Sequence, residues 1–342
     1  MVRVFRPRPP RQYSGRAPRA GSLAAGLLIA AALAGCGDKA DPSTGRAAEM
    51  EQRAIDETNR ELARRNERRQ EEAAERRRAR TETTSETGGE QAPARPAGLL
   101  SAADRASFGR LAESLDGTEA IAVTTLAADP VVTLGDLGGA AAWSTAKAPV
   151  AMAAIVAGSA SSADLTAAIT ASDNAAAERL WSGIGSPDAA AAAATEQLRA
   201  SGDANTTIES RRLRAGYTAF GQTGWALADQ ARFVAGMACT DAGKQVLELM
   251  GNVASGQRWG LGAVGLPAKF KGGWGPGTEP GAAGPWLDRQ MGIVEIDGRP
   301  IVLAIATSGT NHGAGTTTLT KLAGWAAEHV DAGSAPDSPS CP

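Results

Sequence analysis

The sequence predicts an α+β domain over residues 99–332: an antiparallel sheet of about five strands flanked by helices, with a shortened helical lobe. Three observations predict it. Short runs rich in Val, Ile and Thr, bounded by Gly, Pro and Asp, occur at both ends of that span. Alanine-rich stretches long enough for several helices fill its middle. Two strands near the start and three near the end can then join one sheet that the helical block covers.

In order, "EAIAVTTLA" and "DPVVTLGD" read as a hairpin of short strands. Helical segments follow from 143 to about 200 and again from 225 to 250. "PAKFKGGWG", "RQMGIVEID" and "RPIVLAIATSG" read as three more strands, with "DGRP" a turn between the last two. "TTTLTKLAGWAAEHV" is an amphipathic helix, and residues 333–342 read as a flexible tail.

Before the domain the pattern changes. Residues 1–21 carry six arginines and no acid, and "SLAAGLLIAAALAGC" follows. A basic start, a short apolar run and small residues at its end read as an export signal over residues 1–35. A spanning helix needs ~20 apolar residues, and this run is shorter. The ending "LAGC" resembles a bacterial lipobox, which makes Cys36 a candidate lipidation site and puts the mature protein on the outer face of the cell membrane. Residues 36–98 read as a spacer. Acid-first pairs four apart, such as Glu49 with Arg53 and Glu61 with Arg65, support a solvated helix, and Gly and Pro in "TTSETGGEQAPARPAG" end it.

A net charge of −2 gives no reason to expect nucleic acid as a partner. The two histidines, His312 and His329, form no cluster with metal-ligand spacing, so no metal or other cofactor is expected, and nothing calls for an oligomer. Outside the cytoplasm Cys239 and Cys341 could pair or stay free; the sequence leaves both open.

Six lysines stand against twenty-nine arginines, and Ser144 is the only serine with a lysine, Lys147, three positions later. A serine hydroxyl needs a neighbouring base to act as a nucleophile. A buried ammonium can give up its proton, whereas a guanidinium essentially never does. On a helix starting near 143 the two side chains share a face and can touch. "TASDNAAAERLW" supplies Ser172, Asp173 and Asn174 at a helix start, where capping alone would also explain them. "KFKGGWGP" supplies Lys271 and two glycines on a strand, which lets a substrate approach the backbone.

Ser144-x-x-Lys147, Ser172-Asp173-Asn174 and Lys271-Gly272-Gly273, in that order, resemble the serine β-lactamase and penicillin-binding protein superfamily, and most of all its class A enzymes. The resemblance spans about residues 100–330 and implies a serine hydrolase acylated by a β-lactam or a D-Ala-D-Ala-like peptidoglycan peptide. It implies Ser144 as nucleophile, Lys147 as base or relay, Ser172 as proton shuttle and Asn174 as a positioner of Lys147 and substrate. Lys271 would hold the substrate carboxylate beside Gly273, and the N–H groups of Ser144 and Trp274 would bind the oxyanion. Arg289 is a candidate carboxylate anchor, with a strand-end arginine in water as the plain alternative.

Three departures from the family pattern are visible. Only twenty-eight positions separate Ser144 from Ser172, so the helical lobe is trimmed. Gly272 stands where the family has a hydroxyl residue. Glu209 in "TTIESRRLRAGYTAFGQTGW" is the one acid available to activate a deacylating water, without the residues that normally follow it. With such a base the protein is a β-lactamase; without it, acyl-enzyme persists as in DD-peptidases. A non-catalytic lipoprotein that binds cell-wall peptides or a protein partner through the same cleft is the alternative of a different class.

Overall fold

A computed structural model describes residues 98–128, 130–333, 335, 336, 338 and 341. The export signal, Cys36 and almost all of the charged spacer lie outside these residues. The described chain opens with a helix the sequence reading lacked, α1 (Ala102–Glu113). Its start is a capping box: the Ser101 hydroxyl accepts from the Asp104 N–H, and the Asp104 carboxylate accepts from the Ser101 N–H. Then come β1 (Thr118–Thr125) and β2 (Val132–Gly135), a short 3₁₀ turn at Trp143–Ala146, and α2 (Lys147–Val156). The lobe continues with α3 (Ser162–Thr170), α4 (Asn174–Ile184) and α5 (Pro187–Ala200), followed by α6 (Leu227–Met237) and α7 (Asp241–Met250). β3 (Ala268–Pro276), β4 (Trp286–Ile296), β5 (Arg299–Gly309) and α8 (His312–His329) complete the order.

The five strands form one antiparallel sheet in the order β2-β1-β5-β4-β3, so strands from both ends of the domain meet at β1 and β5. The turn expected at "DGRP" joins β4 to β5: Asp297 and Gly298 both have positive φ, 54° and 72°, the twist that a tight hairpin requires. β3 is an edge strand, which leaves one of its sides for the site described below.

Each face of the sheet carries its own core. Against one face, Phe108 of α1 and Leu319, Leu322 and Trp325 of α8 pack on Ile121, Val123, Leu303 and Ile305. Against the other lie the lobe helices, centred on α2. Eight of the ten residues of α2 are buried, including Lys147, as a helix apolar on all sides must be. Ser161, Asp173 and Ser186 cap α3, α4 and α5 with side-chain bonds, breaking the alanine-rich region into short helices.

Cys239 and Cys341 form a disulfide that closes a loop with a sequence separation of 102. Loop closure on this scale restricts the unfolded chain strongly. Cys239→Ser is expected to lower the unfolding free energy by ~2–4 kcal/mol in denaturant titration. Reductant should do the same to the wild-type protein and nothing further to the variant.

Candidate active site

The three motifs meet where the start of α2, the start of α4 and the edge strand β3 come together. The Lys147 ammonium lies at 1 % exposure and reaches across to the loop before α4. It bonds the Ser172 carbonyl, the Asn174 Oδ1 at 2.7 Å and the Ser172 hydroxyl at 3.3 Å. Lys271, fully buried on β3, donates to the same hydroxyl at 2.8 Å and to the Gly272 carbonyl at 2.8 Å. Two lysines thus converge on one serine oxygen.

Burial dominates their acidity. It pulls Lys147 down to about 7, with Asp173 pulling weakly the other way. Lys271 is pushed well below its ordinary value, first by burial and then by repulsion from Lys147. With Lys147 neutral, its two N–H bonds go to the Ser172 carbonyl and Asn174, and its lone pair faces the Ser172 hydroxyl. Lys271 donates to that oxygen from the other side, so Ser172 sends its proton toward Lys147. The bonds themselves define a proton path.

Ser144 sits in the 3₁₀ turn just before Lys147 and is partly exposed. Among the described residues the Ser144 hydroxyl makes no hydrogen bond, to Lys147 or to any other group. The Lys147 amine makes its bonds at the start of α4, to the Ser172 carbonyl and Asn174. Ser172 is instead the residue whose hydroxyl both lysines bond. Its φ of 57° and the φ of 46° at Trp143 are left-handed values that non-glycine residues seldom adopt, and they flank the two serines of the cluster.

Glycines on β3 admit the Ser144 turn. A Cβ on Gly273 would lie 2.8 Å from both the Ser144 and Thr145 nitrogens, and one on Gly275 would lie 2.6 Å from the Trp143 ring. The middle residue of "KGG" faces the other way. A Cβ on Gly272 would press on the Trp259 indole at 3.2 Å, so that ring fills the space a side chain would take here. Trp274 stacks on His312 at 4.9 Å and meets Trp259 edge-on at 5.8 Å, which pins β3 to the start of α8. Gly273→Ala is expected to lower the rate of Ser144 acylation at least tenfold by driving β3 from the turn. Far-ultraviolet circular dichroism should stay native, and adduct formation by intact-mass spectrometry checks the rate.

Two sequence expectations need correction. Arg289 does not project toward a substrate carboxylate. It is fully buried, and its terminal nitrogens bond the Ala140, Ala141 and Trp225 carbonyls and Gln230 Oε1. Its orientation follows from the register, which pairs it with Gly273 on the face under the lobe. There it braces the approach to Ser144: Gln230 also donates to Thr145 Oγ1 at 2.9 Å. Gln230 and Thr145 carried no motif and were invisible in the sequence.

Glu209 is likewise elsewhere engaged. Arg211 holds both its oxygens, at 2.8 and 2.9 Å, and the Arg211 N–H adds a third bond. The Arg211 guanidinium bond, ahead of the opposing effect of burial, keeps its carboxyl below the usual range, which makes it a weaker base. No hydrogen bond links it to Ser144, Lys147 or Ser172.

No protein-family model and no curated protein sequence matches the chain. Among solved structures, it is similar to an ancestral class A β-lactamase of Gram-negative bacteria, GNCA, at 22 % identity over 66 % of this chain and 99 % of that one, with a TM-score of 0.48. It is also similar to a β-lactamase from Burkholderia vietnamiensis (19 % identity, 67 % and 96 % covered, TM-score 0.48). A third is the chromosome-encoded β-lactamase of Vibrio parahaemolyticus (14 % identity, 66 % and 96 % covered, TM-score 0.48). In the order of its elements around one antiparallel sheet, and in the meeting of its three motifs at that sheet's edge, the chain resembles the serine β-lactamase and penicillin-binding protein superfamily.

Proposed function

We propose that the protein is an exported serine hydrolase, lipid-anchored through Cys36, that is acylated at Ser144 by β-lactams or D-Ala-D-Ala-like peptides. One observation carries this reading: two buried lysines, both shifted toward neutrality, converge on the Ser172 hydroxyl beside Ser144. Burying two amines without a carboxylate partner is costly for a merely structural purpose, and such groups cluster where protons are moved. In the proposed reaction the Ser144 proton passes to Lys147 and the Ser144 oxygen adds to the carbonyl carbon. The N–H groups of Ser144 and Trp274 receive the oxyanion; as the carbon–nitrogen bond breaks, Ser172 passes its proton to the departing nitrogen and takes one back from Lys147. Water then releases the acyl group.

The engagement of Glu209 by Arg211 favours a second reading for the last step. Without a free carboxylate, deacylation is slow, and the protein behaves as a penicillin-binding DD-peptidase rather than a β-lactamase. Intact-mass spectrometry with benzylpenicillin over time separates these. A penicilloyl adduct on Ser144 that persists for hours supports the second reading, and one that vanishes within minutes supports the first. A folded protein that takes no adduct defeats both and leaves a non-catalytic cell-wall-binding module.

A further inference from the structure

A second serine lies in a different hydrogen-bonded chain, on the opposite face of the sheet. Asp104 and Ser107 are one turn apart on α1, and His329 ends α8, which packs beside it. The Ser101 N–H and hydroxyl hold Asp104 Oδ2 at 2.8 and 2.6 Å, which leaves Oδ1 against His329 Nδ1 at 2.9 Å. Burial acts to raise the Asp104 carboxyl, but the Ser101 and His329 bonds outweigh it and hold it below the usual range. An ionised carboxylate can only accept, so Nδ1 carries a ring proton, and in the neutral ring Nε2 then presents its lone pair. That lone pair faces Ser107 Oγ at 3.2 Å.

Trp325 fixes the remaining direction. Its indole N–H, a donor only, points to Ser107 Oγ at 3.3 Å, so the serine's own proton is the one directed at His329. The same indole stacks on the His329 ring at 5.2 Å, and Phe108 meets it edge-on at 5.3 Å. Nucleophile, base and orienting carboxylate are therefore in the order and tautomer that acyl transfer needs.

The serine opens on a place for a substrate. A groove of about 440 Å³ is lined by Ser107, Leu111, Gly324 and Trp325 and by three charged residues, Arg110, Lys321 and Glu328. Gly324 lies inside α8, where glycine costs the helix ~1 kcal/mol relative to alanine, and a Cβ there would meet nothing. Arg110, one turn beyond Ser107, and Lys321 give the groove two cations against the single carboxylate of Glu328, a net charge of about +1.

We propose that Ser107, His329 and Asp104 form a second nucleophilic site, which hydrolyses small carboxylic esters bearing an anionic group. Ser107 Oγ adds to the ester carbonyl carbon as its proton moves to His329 Nε2. The carbon–oxygen bond to the alcohol then breaks, and His329 protonates the leaving alkoxide. Water attacks the acyl-serine, passes its proton to His329, and frees the acid and Ser107. Because Ser107 is inside a helix, its neighbouring N–H groups are committed to helix bonds, so Lys321 must receive the oxyanion while Arg110 meets the substrate's anionic group. Loss of one backbone oxyanion donor costs ~10²–10³ in kcat, so the activity falls well short of a specialised esterase.

The test uses the full chain carrying Ser144→Ala, which removes the first nucleophile. A fluorophosphonate probe is expected to phosphonylate Ser107, located by peptide mass spectrometry. The mono-p-nitrophenyl ester of succinic acid is expected to be hydrolysed above the buffer rate. Adding Ser107→Ala, or in a separate protein His329→Gln, should cut that hydrolysis at least tenfold with an unchanged melting temperature. Arg110→Ala should raise KM for the succinate ester more than for p-nitrophenyl acetate. No adduct on Ser107, or hydrolysis indifferent to Ser107→Ala, would overturn the proposal. Neither result bears on β-lactam acylation at Ser144.

Discussion

Lys147→Arg is expected to slow benzylpenicillin adduct formation by ~10²–10⁴, the usual contribution of a positioned general base. The substitution keeps the positive charge and much of the side chain's length, so a purely electrostatic role would survive it. A proton-accepting role would not, because the guanidinium stays charged at any workable pH. The pH profile discriminates further. Lys147 loses its proton at about 7 in the folded protein, and only the neutral amine has a lone pair. Acylation by the wild-type protein should therefore rise about tenfold per pH unit below 7 and level off above it. Were the ammonium the active form, the rate would fall across the same range. Ser144→Ala provides the control, with no adduct at any pH. A wild-type rate in Lys147→Arg would remove Lys147 from the chemistry and leave the Ser172 network without a purpose.

Much of this centre was legible before any coordinates, and the parts that were not have physical causes. Strand runs and turn residues are local signals, so the sheet and its hairpin at Asp297–Gly298 could be read in order. The capping box at Ser101 and Asp104 was also local, and it marks α1, which the sequence reading passed over. The lysines stood out because arginine is so common elsewhere in the chain. Orientation was the hidden quantity. Whether Arg289 meets solvent or core depends on which face of β4 its register assigns, and only the pairing with Gly273 fixes that. Gln230 and Thr145 belong to no motif, because their role arises from a contact spanning a sequence separation of 85. Spacing along a helix put Ser144 on one face with Lys147, but that the amine bonds Ser172 and Asn174 is a contact across 25 and 27 positions that no local spacing reveals.

Between pH 7 and 9 the protein is expected to become more stable as pH rises, contrary to the decline usual for alkaline conditions. The sign follows from the two buried lysines. In the unfolded chain Lys147 holds its proton up to its ordinary value of 10.5, while in the folded protein it loses it at about 7. Throughout that interval unfolding takes up a proton, so raising pH favours the folded state, by up to ~1.4 kcal/mol per pH unit for each such group. Lys271, shifted in the same direction, adds a second slope of the same sign. Asp288, raised to about 6 by burial, contributes a slope of opposite sign, but only below that value. Burial disfavours the charged form of Arg289 as well, but a guanidinium keeps its proton across this interval and adds no slope. The interval from 7 to 9 therefore isolates the lysines. Guanidinium titrations at half-unit steps should show the rise, and Lys147→Met and Lys271→Met should each remove one group's share of it. Both variants are also expected to gain stability relative to wild type as pH falls toward 7, where the buried amines cost most, while losing acylation. A flat profile, or one that both variants leave unchanged, would mean that these amines carry no such penalty and that neither is poised to accept a proton.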